Sequence, residues 1–170
     1  DDGFRRANLV FVDVGQGDCL HIKGNGGKHY LIDGGGSASY DVGKNILKPY
    51  LLKNGVREIE IAFVSHLHKD HYDGIASLCR EGMVRFLCLS ESSRLLENEI
   101  LEETGLLPSQ LIYVKRGDRI FFEQEQVRMG NYRQKATETE NEKRRSAEKG
   151  REDGIVILSP EGQQEREYLR

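Results

Sequence analysis

The chain has 170 residues, enough for one domain with a sizeable core. Charged residues make up 31% and apolar ones 37%, a globular but polar balance that leaves room for unstructured stretches. A net charge of −3 excludes a globally basic nucleic-acid binder, so any such contact has to be a local patch.

Leu9 to Val14 alternates and is rich in β-branched residues, which predicts a strand ending at Val14. Gly15-Gln16-Gly17 predicts a tight turn, Asp18 to Lys23 a second strand, Gly24-Asn25-Gly26-Gly27 a hairpin turn, and Lys28 to Ile32 a third strand. The G-x-G here leads into a strand and not a helix, so it is no phosphate loop. Asp33 before three glycines has two readings. Asp-Gly is ordinary turn chemistry, and a carboxylate at a strand end can also accept a proton from a ligand histidine nearby. Val42 to Lys53 is close to helical spacing, but Pro49 is expected to break or kink it, leaving a short turn-rich piece over Asn45 to Lys48. Glu58 to Ser65 reads as a strand, Gly74 to Glu81 as a short helix closed by Gly82, and Val84 to Leu89 as a strand. Ser92 or Ser93 is expected to cap a helix over Arg94 to Glu103 that Gly105 stops. Leu111 to Val114, Arg119 to Phe122 and Gln126 to Met129 read as short strands. This order predicts an α/β layer beside an antiparallel start.

The character changes between Asn131 and Asp153, where large apolar residues almost vanish. From Arg133 to Asp153 seven Lys/Arg face six Glu/Asp, which suits a solvated, mobile insertion better than a phosphate-binding tract. Gly154 to Ser159 resumes as an apolar strand that Pro160 ends. The domain plan is therefore a core over residues 1–130, a charged insertion over 131–153, and a returning strand with a polar tail over 154–170. Cys19, Cys79 and Cys88 are odd in number and lack C-x-x-C spacing; Cys19 and Cys88 read as buried, inert thiols.

The densest chemistry is His66-Leu67-His68-Lys69-Asp70-His71, which holds three of the five histidines. Side chains at i and i+2 of an extended stretch share a side, so His66 and His68 can converge on one point. Asp70 and His71, past the bend, can reach a second. Imidazole nitrogen and carboxylate oxygen suit a borderline divalent ion such as zinc. Two such ions about 3.5–4 Å apart would hold a bridging water for hydrolysis. His21 and His29, in the opening hairpin, read as exposed strand residues.

The motif resembles the H-x-H-x-D-H signature of the metallo-β-lactamase-fold hydrolases. Phe11-Val12-Asp13-Val14-Gly15-Gln16-Gly17-Asp18 resembles the F-x-D-V-G-Q-G-D signature of ComEC-type competence proteins, the channel proteins of bacterial DNA uptake. That likeness continues through Tyr30 to Gly35, Leu47 to Leu51, Arg116 to Ile120 and Val156 to Pro160. It implies an α/β (α+β) fold, an αββα sandwich with the N-terminal half to two-thirds present. It also implies a DNA nuclease (phosphodiesterase) activity that degrades the strand not taken up. On this reading His66 and His68 hold one ion, Asp70 and His71 the other, and Asp70 is the catalytic residue. Asp33 and Asp13 stand behind the ligands and orient them. The implied cofactor is a divalent metal, two Zn²⁺ or Mn²⁺ in the complete domain, with partial or no occupancy in this chain.

Two departures from that pattern bear on these expectations. His68 stands where many competence proteins have Asp, which brings the loop nearer the general hydrolase pattern. The N-x-x-S and Thr-Gly-Asp blocks that the family carries later, the second bearing a metal-bridging Asp, do not occur before Arg170. The expectation is therefore a segment cut from something longer, consistent with a start at Asp1-Asp2, holding the first part of a binuclear site and showing low activity by itself. Expected partners are DNA as substrate and the membrane-channel portion of the same parent, with self-association through a sheet face left uncovered. No direct membrane insertion by this segment is expected, because no apolar run approaches the roughly 18 residues a span needs. The expected place is a domain of a bacterial cell-membrane protein, facing outward, or the cytoplasm if the chain is a stand-alone hydrolase. The alternatives are a stand-alone metallo-hydrolase of a small ester, thioester or phosphodiester, and a truncated metal-binding fragment without catalysis.

Overall fold

The computed structural model describes residues 8–24, 26–122, 127–131 and 154–156. They fall into two compact units that part after Val114. The division comes ahead of the core boundary expected at residue 130. Apart from Asn131, the insertion expected over 131–153 lies outside the described residues, as do residues 157–170.

The first unit is built on a six-stranded mixed sheet in the order β1-β2-β3-β4-β5-β6. Strands β1 (Asn8–Phe11), β2 (Leu20–Lys23) and β3 (His29–Ile32) form an antiparallel meander. Glycines at the two turns permit it; Gly15 and Gly17 adopt φ of 80° and 83°. From β3 onward the pairing is parallel, through β4 (Ile59–Phe63), β5 (Val84–Ser90) and β6 (Leu111–Val114). Parallel neighbours need crossovers, and helices α1 (Lys48–Lys53), α2 (Lys69–Arg80) and α3 (Glu97–Thr104) lie in these connections. One sheet face, with Leu31, Ala62, Val64, Leu87 and Leu89, joins Leu47, Leu51, Ile75 and Leu78 of the helical layer in one core. The mixed sheet and its helices are the α/β arrangement expected.

Residues of the opposite face, Tyr30, Ile61, Phe63 and Cys88, are buried as well, so the uncovered face anticipated from the sequence is not found at these positions. The second unit contributes a three-stranded antiparallel sheet in the order β8-β7-β9, with β7 (Asp118–Phe122), β8 (Val127–Asn131) and β9 (Gly154–Val156).

Several local expectations are corrected. Pro49 does not break its helix. A π-helical turn over Gly43–Leu47 runs into α1, placing Pro49 in the first turn of the new segment, where its missing N–H costs little. Helix α2 begins at Lys69 and not at Gly74, so Asp70 and His71 sit on its first turn. His68 is the N-cap, with extended φ −66° and ψ 144°. Ser90, not Ser92 or Ser93, caps the next segment by accepting from the Ser92 N–H; a 3₁₀ turn over Glu91–Leu96 then precedes α3. His21 is only 6% exposed, and His29 is half-buried, not exposed as expected; strand alternation alone does not say which side of the hairpin the helices cover. Cys19, Cys79 and Cys88 are buried and outside any disulfide, and burial pushes the Cys19 thiol up to about 12.

Candidate functional site

Strand β4 delivers Ser65 and His66 at its C-terminal end, the turn His66-Leu67-His68 follows, and α2 carries Lys69, Asp70 and His71 onward. Leu67, 2% exposed, anchors the turn in the core while the flanking histidines stay partly open. Asp70 suits the first helical turn, where a carboxylate faces the positive end of the helix dipole.

The first turn of α2 is held backbone against backbone. Gly34 N–H donates to the His71 carbonyl at 2.8 Å, and Gly74 N–H donates to the Gly35 carbonyl at 3.0 Å. A Cβ on Gly74 would stand 2.0 Å from the Gly34 oxygen, and one on Gly17 would stand 1.6 Å from the Asp70 oxygen. Glycine is required at both positions because no side chain fits between these main chains.

Asp33 is the hub of the arrangement. It is the one non-glycine residue with positive φ (56°) among the described residues. This conformation aims its carboxylate across the end of β4. Oδ1 accepts from the Ser65 N–H at 2.8 Å, and Oδ2 accepts from Ser65 Oγ at 2.7 Å and from His71 Nδ1 at 2.9 Å. Ser65 Oγ also lies 2.9 Å from His66 Nδ1. Because the Ser65 hydroxyl proton goes to Asp33, the Oγ···Nδ1 contact requires His66 to donate. Both histidines are thus set with the proton on Nδ1 and a bare Nε2, the form in which imidazole binds a cation. Burial lowers the His66 pKa first, and the neighbouring His71 and His68 lower it further, against Asp33 and Asp70. Neutral imidazole is favoured there.

The rings are gathered. His66 and His71 have centroids 4.0 Å apart, His66 and His68 4.5 Å. His71 Nε2 lies 3.8 Å from Asp70 Oδ2. Two donors of one tetrahedral zinc, each at roughly 2.0–2.2 Å, stand about 3.3–3.6 Å apart, so this pair is close to the span of an ion's edge. The donor types and the bare nitrogens fit a divalent ion. The geometry is not closed: among the described residues no group of three or more His, Cys, Asp or Glu stands in metal-holding arrangement. Asp13 is placed differently from Asp33. Its Oδ1 accepts from the Gly15 N–H at 3.0 Å, a local turn bond. Ser65 was missed in the sequence because a serine next to a histidine carries no signal of its own.

Beside the site, on the flank of α2, opens a cleft of about 430 Å³ lined by Ser39, Tyr40, Asp41, Lys69, Asp73 and Glu103 among others. With Arg80 it holds three carboxylates against two cations. Burial raises the Asp73 pKa, and Glu103 adds to the effect.

The family model described as the Metallo-beta-lactamase superfamily matches residues 12–157. The chain belongs to that superfamily. The metallo-β-lactamase-like fold expected from the sequence is therefore the right one. Superfamily members are usually hydrolytic and generally bind divalent metals, which places the chain among metallo-hydrolase domains. A curated relative, ComE operon protein 3 of Bacillus subtilis (strain 168), is 26% identical over 125 residues, covering 63% of this chain. The match spans only 16% of that protein's length. No described helix is long and apolar enough to cross a membrane.

Proposed function

We propose that this domain is a metal-dependent phosphodiesterase acting on DNA, carried by a membrane protein of bacterial DNA uptake and facing outward. The observation that carries the metal-dependent part is the Asp33 hub, which presents the bare Nε2 atoms of His66 and His71 beside Asp70 and His68. The likeness to ComE operon protein 3 and the F-x-D-V-G-Q-G-D block support the competence setting. A divalent metal bound there, Zn²⁺ or Mn²⁺, would supply Lewis acidity toward a phosphoryl oxygen and a water of lowered pKa. His66 and His68 would hold one ion, Asp70 and His71 a second. Asp33 keeps His71 oriented directly and His66 through Ser65. Asp13 supports the site less directly, by fixing the turn that leads to Gly17 against the Asp70 carbonyl.

A second reading is a hydrolase of a small ester, thioester or phosphodiester. The cleft favours it, because a polyanion would meet Asp73 and Glu103 there with only Lys69 and Arg80 to offset them.

The test is Mn²⁺- or Zn²⁺-supplemented cleavage of single- and double-stranded DNA, with bis(p-nitrophenyl) phosphate as a small-substrate control. It is run on this chain and on a longer segment of its parent. The expected outcome is cleavage by the longer form, lost by at least about 10²-fold in Asp70→Ala, a loss of the size seen when a group acting on the reacting centre is removed. Turnover of the small ester alone would transfer the assignment to the second reading. An active Asp70→Ala protein would overturn the metal mechanism.

A further inference from the structure

We propose that His21, His29 and Tyr50 form an acid-sensitive latch between the β2–β3 hairpin and helix α1, whose His21–His29 bond is made at neutral pH and lost in acid. His21 and His29 are diagonal neighbours on one face of the hairpin, since Lys23 pairs with His29 and His21 with Leu31. His21 Nε2 lies 2.9 Å from His29 Nδ1, and His21 Nδ1 lies 2.9 Å from the Tyr50 hydroxyl. The two imidazoles are stacked with centroids 5.1 Å apart, and Tyr50 meets His21 edge-on. This chain spans two strands and a helix, and it lies apart from the His66–His71 cluster in sequence and in hydrogen bonding.

The bond between the imidazoles holds one proton. In the neutral pair one nitrogen donates and the other accepts. A first extra proton creates a cation in a buried position, and a second would set two N–H groups head to head and break the bond. The surroundings oppose both steps. On β2, Lys23 adds positive charge. On β4, the buried Glu60 carboxylate is engaged by Lys28 at 2.9 Å and by Arg85 of β5 at 3.2 Å. Val10 of β1, opposite His21, is apolar. The Cys19 thiol stays protonated and contributes no charge. Burial, then His29 and Lys23, lower His21 from 6.5 to about 4, and burial and Lys23 lower His29.

The direction of the pH effect follows. Below about 6.5 the unfolded chain takes up more protons at these positions than the folded chain does, so stability falls as pH falls toward 4. Above 6.5 both states are neutral and the contribution is complete.

The experiment is thermal unfolding of the full 170-residue chain from pH 8 to 4.5, wild type against the double variant His21→Gln/His29→Gln, which cannot titrate. Titration of His66 occurs in both proteins and drops out of the difference. The double variant is expected to lose at least half of the wild-type fall in Tm between pH 7 and 5. An equal fall in both proteins would overturn the latch. Imidazole NMR titration of the wild type decides the matter if the variant does not fold. His21 is then expected to stay neutral below pH 5, and independent titration of both rings near 6.5 would overturn the proposal.

Discussion

The two histidine groups of the first unit commit their nitrogens in opposite ways. In the His66–His71 group, Nδ1 of two rings is turned inward to oxygen acceptors, which leaves Nε2 without a proton, as the proposed metal site needs. In the His21–His29 pair, both nitrogens of His21 are consumed by protein partners. An imidazole bonded on both sides is a structural strut. One bonded on a single side, by a carboxylate that fixes its proton, is prepared to be a ligand. The difference between the groups lies in Asp33, a charged acceptor that the hairpin pair lacks.

Asp33→Ala is expected to damage the first group most. It would strand the Ser65 N–H and His71 Nδ1 and release the tautomer of His66. We expect divalent-metal affinity to fall about 10–100-fold and stability by about 3 kcal/mol. Calorimetric metal titration and urea unfolding measure these, while the NMR signals of His21 and His29 should not move. Unchanged metal affinity would show that Asp33 is no more than a turn residue. Gly74→Ala tests the same group through its backbone. Helix propensity alone favours alanine by about 1 kcal/mol, but the new methyl would collide with the Gly34 carbonyl. We expect a net loss of about 2 kcal/mol in urea unfolding; a stabilised variant would mean that α2 can draw away from the Asp33 loop. Ser65→Ala is the mildest. It keeps the backbone N–H to Asp33, leaves His71 untouched and releases His66 alone, at about 1 kcal/mol. A Ser65→Ala protein whose His66 still carries its proton on Nδ1 by NMR would detach Ser65 from the hub.

Much of this contrast was legible in the sequence where residue type and spacing act locally. The H-x-H-x-D-H cluster, the glycine turns and the apolar strands through β5 are such features, and the strands appear close to their expected limits except β1, which ends at Phe11 and not at Val14. What was not legible depends on partners brought from far along the chain. Gly74 reads as a helix start because glycine is a poor helix interior. Its actual reason, the Gly34 main chain packed against it, comes from 40 residues away. Asp33 kept two readings because its role turns on a positive φ and on Ser65, 32 residues distant. His21 looked exposed because strand alternation does not say which side a helix will cover. Pro49 looked disruptive because a π-helical turn, which leaves its missing N–H without consequence, has no compositional signature.

The main-chain contacts at Gly17 and Gly74 also limit how this scaffold can diversify. Where carbonyls stand 2.0 Å or less from the space a methyl would need, mutation has almost no accessible alternatives, so these positions cannot be used to change what is hydrolysed. On the small-ester reading proposed above, new selectivity is expected to be written in the neighbouring rim, at Ser37, Ser39 and Tyr40, whose side chains line open space. On that reading a randomised library confined to the rim is expected to alter substrate choice at little cost in stability, whereas one that included the glycines is expected to lose stability in most of its members.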